Sequence, residues 1–203
     1  MEKGAVFPLF YLPNVEFFKT LKTYKEDDVL IEKLEHYPKQ TFRNRAIIAC
    51  PNGKLMLTVP VKKGDKKRVA YKDKRISNDD NWQHVHWLSL EASYRNSAYF
   101  EFYEDVFKPF YHKPYHFLFD FNIELLDVIL SALKMPVTYN ITSEYEKYGE
   151  EIIDFREDFD WRKPSEYVNK PYYQVFEDKI GAQNNLSIVD LLFNQGPQSK
   201  SFF

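Results

Sequence analysis

The stretch His36-Tyr37-Pro38-Lys39-Gln40-Thr41-Phe42-Arg43-Asn44-Arg45-Ala46-Ile47-Ile48-Ala49-Cys50-Pro51-Asn52-Gly53-Lys54-Leu55-Met56-Leu57-Thr58-Val59-Pro60-Val61-Lys62-Lys63 carries the clearest structural signal in the chain. Two apolar runs flank Asn52-Gly53, a pair favoured in two-residue type I′ turns because both residues accept positive φ. The reading is a β-hairpin over residues 45–61. Counting outward from that turn pairs Cys50 with Leu55, Ile48 with Leu57 and Ala46 with Val59, on a face directed to the core. Ile47 with Thr58, and Arg45 with Pro60, take the other face. Pro60 has no N–H, so the ladder is expected to fray or bulge there.

That register gathers Arg43, Asn44, Arg45, Lys62 and Lys63 at the open end of the hairpin, with Lys39 and Gln40 just ahead. Arg43 would face Lys62, and like charges directly opposite are unfavourable unless a carboxylate or a bound anion relieves them. Guanidinium beside ammonium suits phosphate or carboxylate. Gln40 and Asn44 can read hydroxyls or amides, or cap a strand. The plain alternative is a solvated strand end.

Upstream, Ala5-Val6-Phe7 reads as a short buried strand ended by Pro8. Asn14 is a candidate cap for a helix that carries Val15, Phe18 and Leu21 at helical spacing. Val29-Leu30-Ile31 follows as a second strand. Strand, helix, strand makes a βαβ unit with its strands parallel. Downstream, residues 64–74 read as an exposed loop, and Arg75-Ile76 adds a short strand. Caps among Ser77, Asn78, Asp79 and Asp80 introduce a helix from Trp82 to about Tyr94. Tyr99, Phe102, Tyr103, Val106 and Phe110 mark a second helix. Phe117, Phe121, Leu125, Val128, Ile129 and Ala132 stripe a third, closed by Pro136. Val137 to Thr142 alternates like a strand. The segment from Ser143 to Arg162 is acidic and patternless. Leu186 to Phe193 reads as a short helix ended by Gly196-Pro197. The expected fold class is α/β: a mixed sheet, including the βαβ unit and the 45–61 hairpin, packed against three or more helices.

A chain of 203 residues with 44% hydrophobic content is expected to form one globular domain over residues 1–203. Aromatics reach 18%, which predicts a core of large rings. The net charge of −2 hides an asymmetry. Residues 39–75 hold 12 Lys/Arg against 2 acids, whereas residues 144–160 hold 8 acids against 2 bases. Such polarity accompanies an anionic ligand or a polarised solvated surface. The single cysteine, Cys50, excludes an internal disulfide framework and a cysteine-rich zinc site, and is read as a small buried hydrophobe. The first residues lack the apolar run of a signal peptide, and no stretch has the length of a membrane span, so a cytoplasmic protein is expected.

His84 and His86 point to different sides of a helix and would not chelate one ion, so no metal site is expected. His86 is a candidate for proton transfer, with a polar tip at the core's edge as the alternative. Trp82 lies one helical turn away and is placed to stack on it. Tyr94 and Arg95 end the same helix; Tyr94 can form an aromatic wall, and Arg95 can face an anion. His112 and His116 suggest nothing specific. The Gly-rich phosphate loops, the Gly-x-Ser-x-Gly elbow and the His-Glu-x-x-His pattern are absent. No helix carries a basic stripe, which disfavours a nucleic-acid partner. The residues give no sign of a cofactor or of oligomeric state.

The chain resembles the WbqC-like proteins. The resemblance rests on Tyr11-Leu12-Pro13, on Lys39 to Arg45, on Leu57-Thr58-Val59-Pro60-Val61, on Trp82 to Trp87 and on Tyr94 to Phe100. It continues in Tyr173-Gln174 and in a C-terminal motif at 186–197. Two departures stand out. Phe10-Tyr11-Leu12-Pro13 replaces a Gln-Pro near the first strand, and an acidic variable segment at 144–170 takes the place of a Gly-rich one. The resemblance implies a setting in bacterial surface-polysaccharide biosynthesis, with a transferase role. The resulting expectation is a group transferase acting on an anionic activated donor such as a nucleotide sugar or an acyl donor. Its ligand would be held by Lys39, Gln40, Arg43, Asn44, Arg45, Lys62, Lys63, Trp82, Tyr94 and Arg95, with His86 moving the proton. A non-catalytic assembly module of the same pathway is the alternative.

Overall fold

The computed structural model describes residues 4–24, 28–63, 68–163 and 165–203. Strand β1 (Gly4–Phe7), helix α1 (Val15–Leu21) and strand β2 (Val29–Ile31) form the βαβ unit, with Ala5 opposite Val29 and Phe7 opposite Ile31 in parallel. The Asn14 side chain accepts from the Phe17 N–H at 3.2 Å and so starts α1, which buries Val15, Phe17, Phe18 and Leu21. Strands β3 (Arg45–Cys50) and β4 (Gly53–Thr58) make the hairpin. Helices α2 (Trp82–Tyr94), α3 (Phe100–Phe107) and α4 (Leu118–Ala132) follow, then the short strands β5 (Asn140–Ile141) and β6 (Ile152–Asp154). Helices α5 (Glu177–Ile180) and α6 (Ile188–Gln195) complete the order.

The fold is α/β, and its strands divide between two sheets. One is parallel, in the order β5-β2-β1-β6; the other is the β3-β4 hairpin. In the parallel sheet the chain works outward from β1 through β2 to β5, then returns to the far side of β1 as β6. The direction therefore reverses between β1 and β6. In open parallel sheets such a reversal leaves a crevice beyond the carboxyl ends of the two strands.

The hairpin register departs from expectation by two residues. Cys50 pairs with Gly53, Ile48 with Leu55, Ala46 with Leu57 and Arg45 with Thr58. Pro51 and Asn52 form the loop, and positive φ falls on Gly53 (118°) and not on Asn52. Proline fixes its φ near the value that the first corner of a common turn needs, so Pro51 takes that corner and displaces the type I′ geometry. A slip of two preserves sidedness. Ala46, Ile48 and Leu57 are accordingly buried, while Cys50 is only half-buried. Pro60 lies beyond the ladder and frays nothing. Val59 N–H still donates to Asn44 C=O at 2.8 Å. Arg43 does not face Lys62.

Three other expectations shift. In α3 the core takes Phe100, Tyr103 and Phe107, and leaves Phe102 70% exposed and Val106 44% exposed. Both stripes fit helical spacing. Phe193 of α6 decides between them, its ring centroid 5.2 Å from Phe100 and 5.4 Å from Phe107. In the loop at 64–74, residues 64–67 lie outside the described residues, but Tyr71 is fully buried and its hydroxyl donates to the Leu9 carbonyl at 3.0 Å. The acidic segment contains β6, which pairs with β1. The aromatic core is as expected: Phe7 stacks on Phe155 at 4.8 Å, and Phe121 meets Tyr115 at 4.9 Å. Gly196 ends α6 at φ 56°, where a Cβ would stand 2.5 Å from the Tyr99 ring.

Candidate functional site

The carboxyl edge of the parallel sheet carries a buried ionic network. Glu32 follows β2, Thr142 follows β5, and Arg156 follows β6 by two residues. The fully buried Glu32 carboxylate accepts from Arg156 Nη1 at 2.9 Å, Thr142 Oγ1 at 3.0 Å and Leu34 N–H at 2.6 Å. Arg156 also pairs with Asp154 at 2.5 Å and lies 4.7 Å from the Tyr145 ring centroid. Arg43 joins through a fork onto Glu35, at 2.5 and 2.6 Å, and donates to the Arg156 carbonyl at 3.0 Å. Burial pushes the Glu35 carboxyl up, and the Arg43 guanidinium pulls it part of the way back. The Arg43 carbonyl accepts from Asn122 Nδ2 at 2.7 Å. Every formal charge here meets its opposite. The network is closed, and it fixes the segments after three strands, β2, β5 and β6.

Beside it lies an open cleft of about 650 Å³. One wall is the outer face of the hairpin, represented by Ile47 and Lys54; another is the segment from Asp158 to Lys163 after β6. Asn14, at the start of α1 after β1, borders it too. The cleft therefore occupies the reversal point between β1 and β6. Phe42 and Phe159 lie at its base, and their rings pack against Phe10 at 5.7 Å each. The Trp161 indole N–H donates to the Gln40 carbonyl at 2.9 Å, which ties this segment to the hairpin's approach. The Arg45 guanidinium stacks 5.3 Å from the Trp161 ring centroid, and its buried Nε has no hydrogen-bond partner.

Charged groups in the cleft differ in how far they are committed. Arg162 pairs with Asp160 at 2.8 Å, and Glu16 accepts from Asn185 at 2.7 Å and Ser165 at 2.8 Å. Asp158 has no ion-pair partner among the described residues. Burial, then the neighbouring Asp154 and Glu157 carboxylates, push its carboxyl above the usual range, and Lys163 opposes them.

A family model, that of the WbqC-like protein family, matches residues 10–163. The chain belongs to the WbqC-like protein family. Neither the curated proteins nor the solved structures contain a match. In this WbqC-like chain the matched span runs from the loop after β1 to Lys163, and so takes in both the network and most of the cleft.

The structure scatters the residues expected at one site. Arg45 and Gln40 contact Trp161, which lines the cleft, but do not line it themselves. Lys39 is exposed nearby in sequence. Arg43 is buried in the network, and Asn44 donates to the Val59 carbonyl at 2.9 Å. Lys62 borders a separate hollow, and Lys63 is exposed. Arg95 is exposed and pairs with Glu91 at 2.6 Å. Trp82 is buried and donates to Asn78 at 3.1 Å. Tyr94 donates to Asp190 at 2.9 Å in a buried cluster with Tyr172. His86 is buried. Its Nδ1 lies 2.9 Å from the Tyr11 hydroxyl, which meets Tyr111 at 3.0 Å. Burial lowers its pKa to about 4, with the Thr58 backbone opposing weakly. His86 lines neither the cleft nor the hollow. The described residues include no helix long and apolar enough to cross a membrane and no three-ligand metal cluster.

Asp158, Trp161 and the Asn184-Asn185 edge of the cleft escaped the sequence reading. The 143–162 segment has no hydrophobic period, so nothing local marks which carboxylate faces a cavity. A tryptophan in an acidic stretch was the one available signal.

Proposed function

We propose that this WbqC-like protein is a group transferase of bacterial surface-polysaccharide assembly that takes an anionic activated donor in the Trp161 cleft. The observation that supports this is the cleft itself: a concave polar site of small-molecule size at the reversal point of a parallel sheet. Lys54, which lines the cleft, and the half-buried Arg45 guanidinium stacked on Trp161 receive the phosphate or carboxylate of the donor. Trp161 offers a ring face to a sugar or a base. The acceptor's hydroxyl or amine attacks the activated carbon of the donor. The bond to the leaving phosphate or thiolate breaks, its charge remains near the cations, and the acceptor's proton passes to the Asp158 carboxylate. Buried His86 is left as a core group.

The test is a thermal-shift and calorimetric screen of nucleotide sugars, nucleoside diphosphates and acyl thioesters, since a ligand raises stability by mass action. At least one class is expected to bind, with affinity lost in Trp161→Ala and Arg45→Ala. Full affinity in both variants would sink the reading, as would silence from all three classes. The assembly-module alternative predicts that silence.

A further inference from the structure

Three basic side chains meet in a second, smaller hollow. Lys62, Arg75 and His116 border a niche of about 230 Å³ together with Ile76, Asn78 and Phe117. The three come from different segments, which backbone hydrogen bonds hold side by side. Lys62 N–H donates to the Arg75 carbonyl at 2.9 Å, and Ile76 N–H donates to the His116 carbonyl at 2.9 Å. Single bridges join Val61 to Ile76 and Arg75 to Phe117. Buried Ile76 anchors the middle segment in the core. The Arg75 guanidinium lies 5.8 Å from the Phe117 ring centroid, which restricts its rotamers. Lys74 is spent on the backbone: its ammonium donates to the Lys62 carbonyl at 2.6 Å and holds that segment in place. Asn78 is likewise committed, donating to Tyr115 at 2.9 Å and accepting from Trp82 at 3.1 Å.

Among the described residues, no carboxylate pairs with Lys62, Arg75 or His116. The contrast with Arg43 and Arg156, which are fully matched, is sharp. Lys62 and Arg75 place like charges on the rim of one concavity, and an anion seated there would be attracted by both. A guanidinium fork, an ammonium and an imidazole form the donor set of a phosphate group. The volume falls below the ~300 Å³ at which drug-sized pockets begin, so it suits a phosphate or diphosphate and not a whole nucleotide sugar. Exposed Lys63, next to Lys62 in the chain, adds to the positive field.

We propose that the Lys62–Arg75–His116 niche is a phosphate-binding site, separate from the Trp161 cleft, for the phosphate or diphosphate group of a ligand. The proposal does not depend on the cleft's chemistry. The full chain is titrated calorimetrically at ~0.15 M salt with inorganic phosphate and pyrophosphate, while the His116 imidazole is followed by NMR. A flotation arm uses phosphatidylglycerol vesicles against phosphatidylcholine vesicles. Pyrophosphate is expected to bind, to shift His116, and to weaken about tenfold or more in Arg75→Gln and Lys62→Gln, since each removes a charge-assisted hydrogen bond. Both side chains are exposed, so unchanged melting shows that the variants fold. Trp161→Ala leaves this binding intact. Recruitment to anionic vesicles that fails in the same variants assigns the phosphate to a lipid headgroup; binding of soluble probes alone assigns it to a free ligand. No binding of any probe overturns the proposal. So does binding that survives both Gln variants. Binding lost in Trp161→Ala but kept in Arg75→Gln also overturns it, and leaves the cleft reading standing.

Discussion

Arg43 and Arg45 stand two residues apart in the chain and have opposite circumstances. Arg43 enters the interior, where Glu35 takes its fork and the Arg156 carbonyl takes a third bond. Arg45 turns to the outer face of the hairpin, stacks on Trp161 and stays half-buried, with a buried Nε that has no hydrogen-bond partner. A turn separates them. Arg43 lies in the turn ahead of β3, where Asn44 and Arg45 N–H donate to the Thr41 and Phe42 carbonyls, and Arg45 is the first residue of the strand. The side chains thus escape the period-two rule that would put both on one face. A closed ionic network gives the loops rigidity but has no bond left to offer a ligand. A partly open arginine has the reverse character. The comparison teaches that the density of basic residues near a hairpin mouth says little until each guanidinium's partners are known.

The largest way to break this contrast is Arg43→Ala. It strands a buried Glu35 carboxylate and removes a bond from the Arg156 loop. Breaking a buried pair from one side costs about 3–5 kcal/mol, which for a domain of this size lowers Tm by roughly 6–20 °C. Urea and thermal melts measure it. A loss under ~1 kcal/mol would mean that the network is dispensable and that Arg43 is free for ligand duty.

Asp190 sharpens the same lesson without a cation. Tyr94, Tyr172 and Gln174 all donate to it in the core, and burial pushes its pKa up to about 6. A folded pKa above the ordinary value means that the folded state holds the proton more tightly. Its contribution to stability is therefore complete below about pH 4 and is lost as pH rises through about 6. Asp190→Asn removes that dependence. Measured as variant minus native stability, the difference should rise by roughly 2–2.5 kcal/mol between pH 4 and pH 7. A flat difference would show that the three donors fully offset the desolvation.

The two faces of the hairpin were legible in the sequence because period-two alternation survives a register slip of two. The turn was not. Asn52-Gly53 carries a strong type I′ signal, and Pro51 overrode it by fixing the preceding corner. Gly53→Ala then tests the observed turn against the expected one. Of these two residues only Gly53 has positive φ, so its replacement should cost about 1–2 kcal/mol, while Asn52→Ala should cost a few tenths at most. Equal losses would restore the type I′ turn and with it the expected register. The βαβ unit, α2 and α4 were legible for a similar reason: caps and apolar spacing are local. The cleft was not local. Trp161 reaches Gln40 across 121 positions, and Asp158 gains its place only because β6 pairs with β1. A chain segment without hydrophobic period gives no warning of such pairing.

Arg45→Ala has a small stability effect, and it is the most diagnostic for the arginine pair. The lost contact is one cation–π stack at a half-buried position, worth about 0.5–1 kcal/mol. Arg43→Ala should lower stability several times more. Donor binding should follow the opposite order, with Arg45→Ala abolishing it and a folded Arg43 variant such as Arg43→Lys retaining part of it. Calorimetry on both variants, at a temperature where each is folded, separates the two roles. If Arg45→Ala melts as early as Arg43→Ala, then Trp161 and the Asp158 segment depend on that stack for their order. The cleft wall would then be part of the folded core, and the two arginines would share a structural task after all.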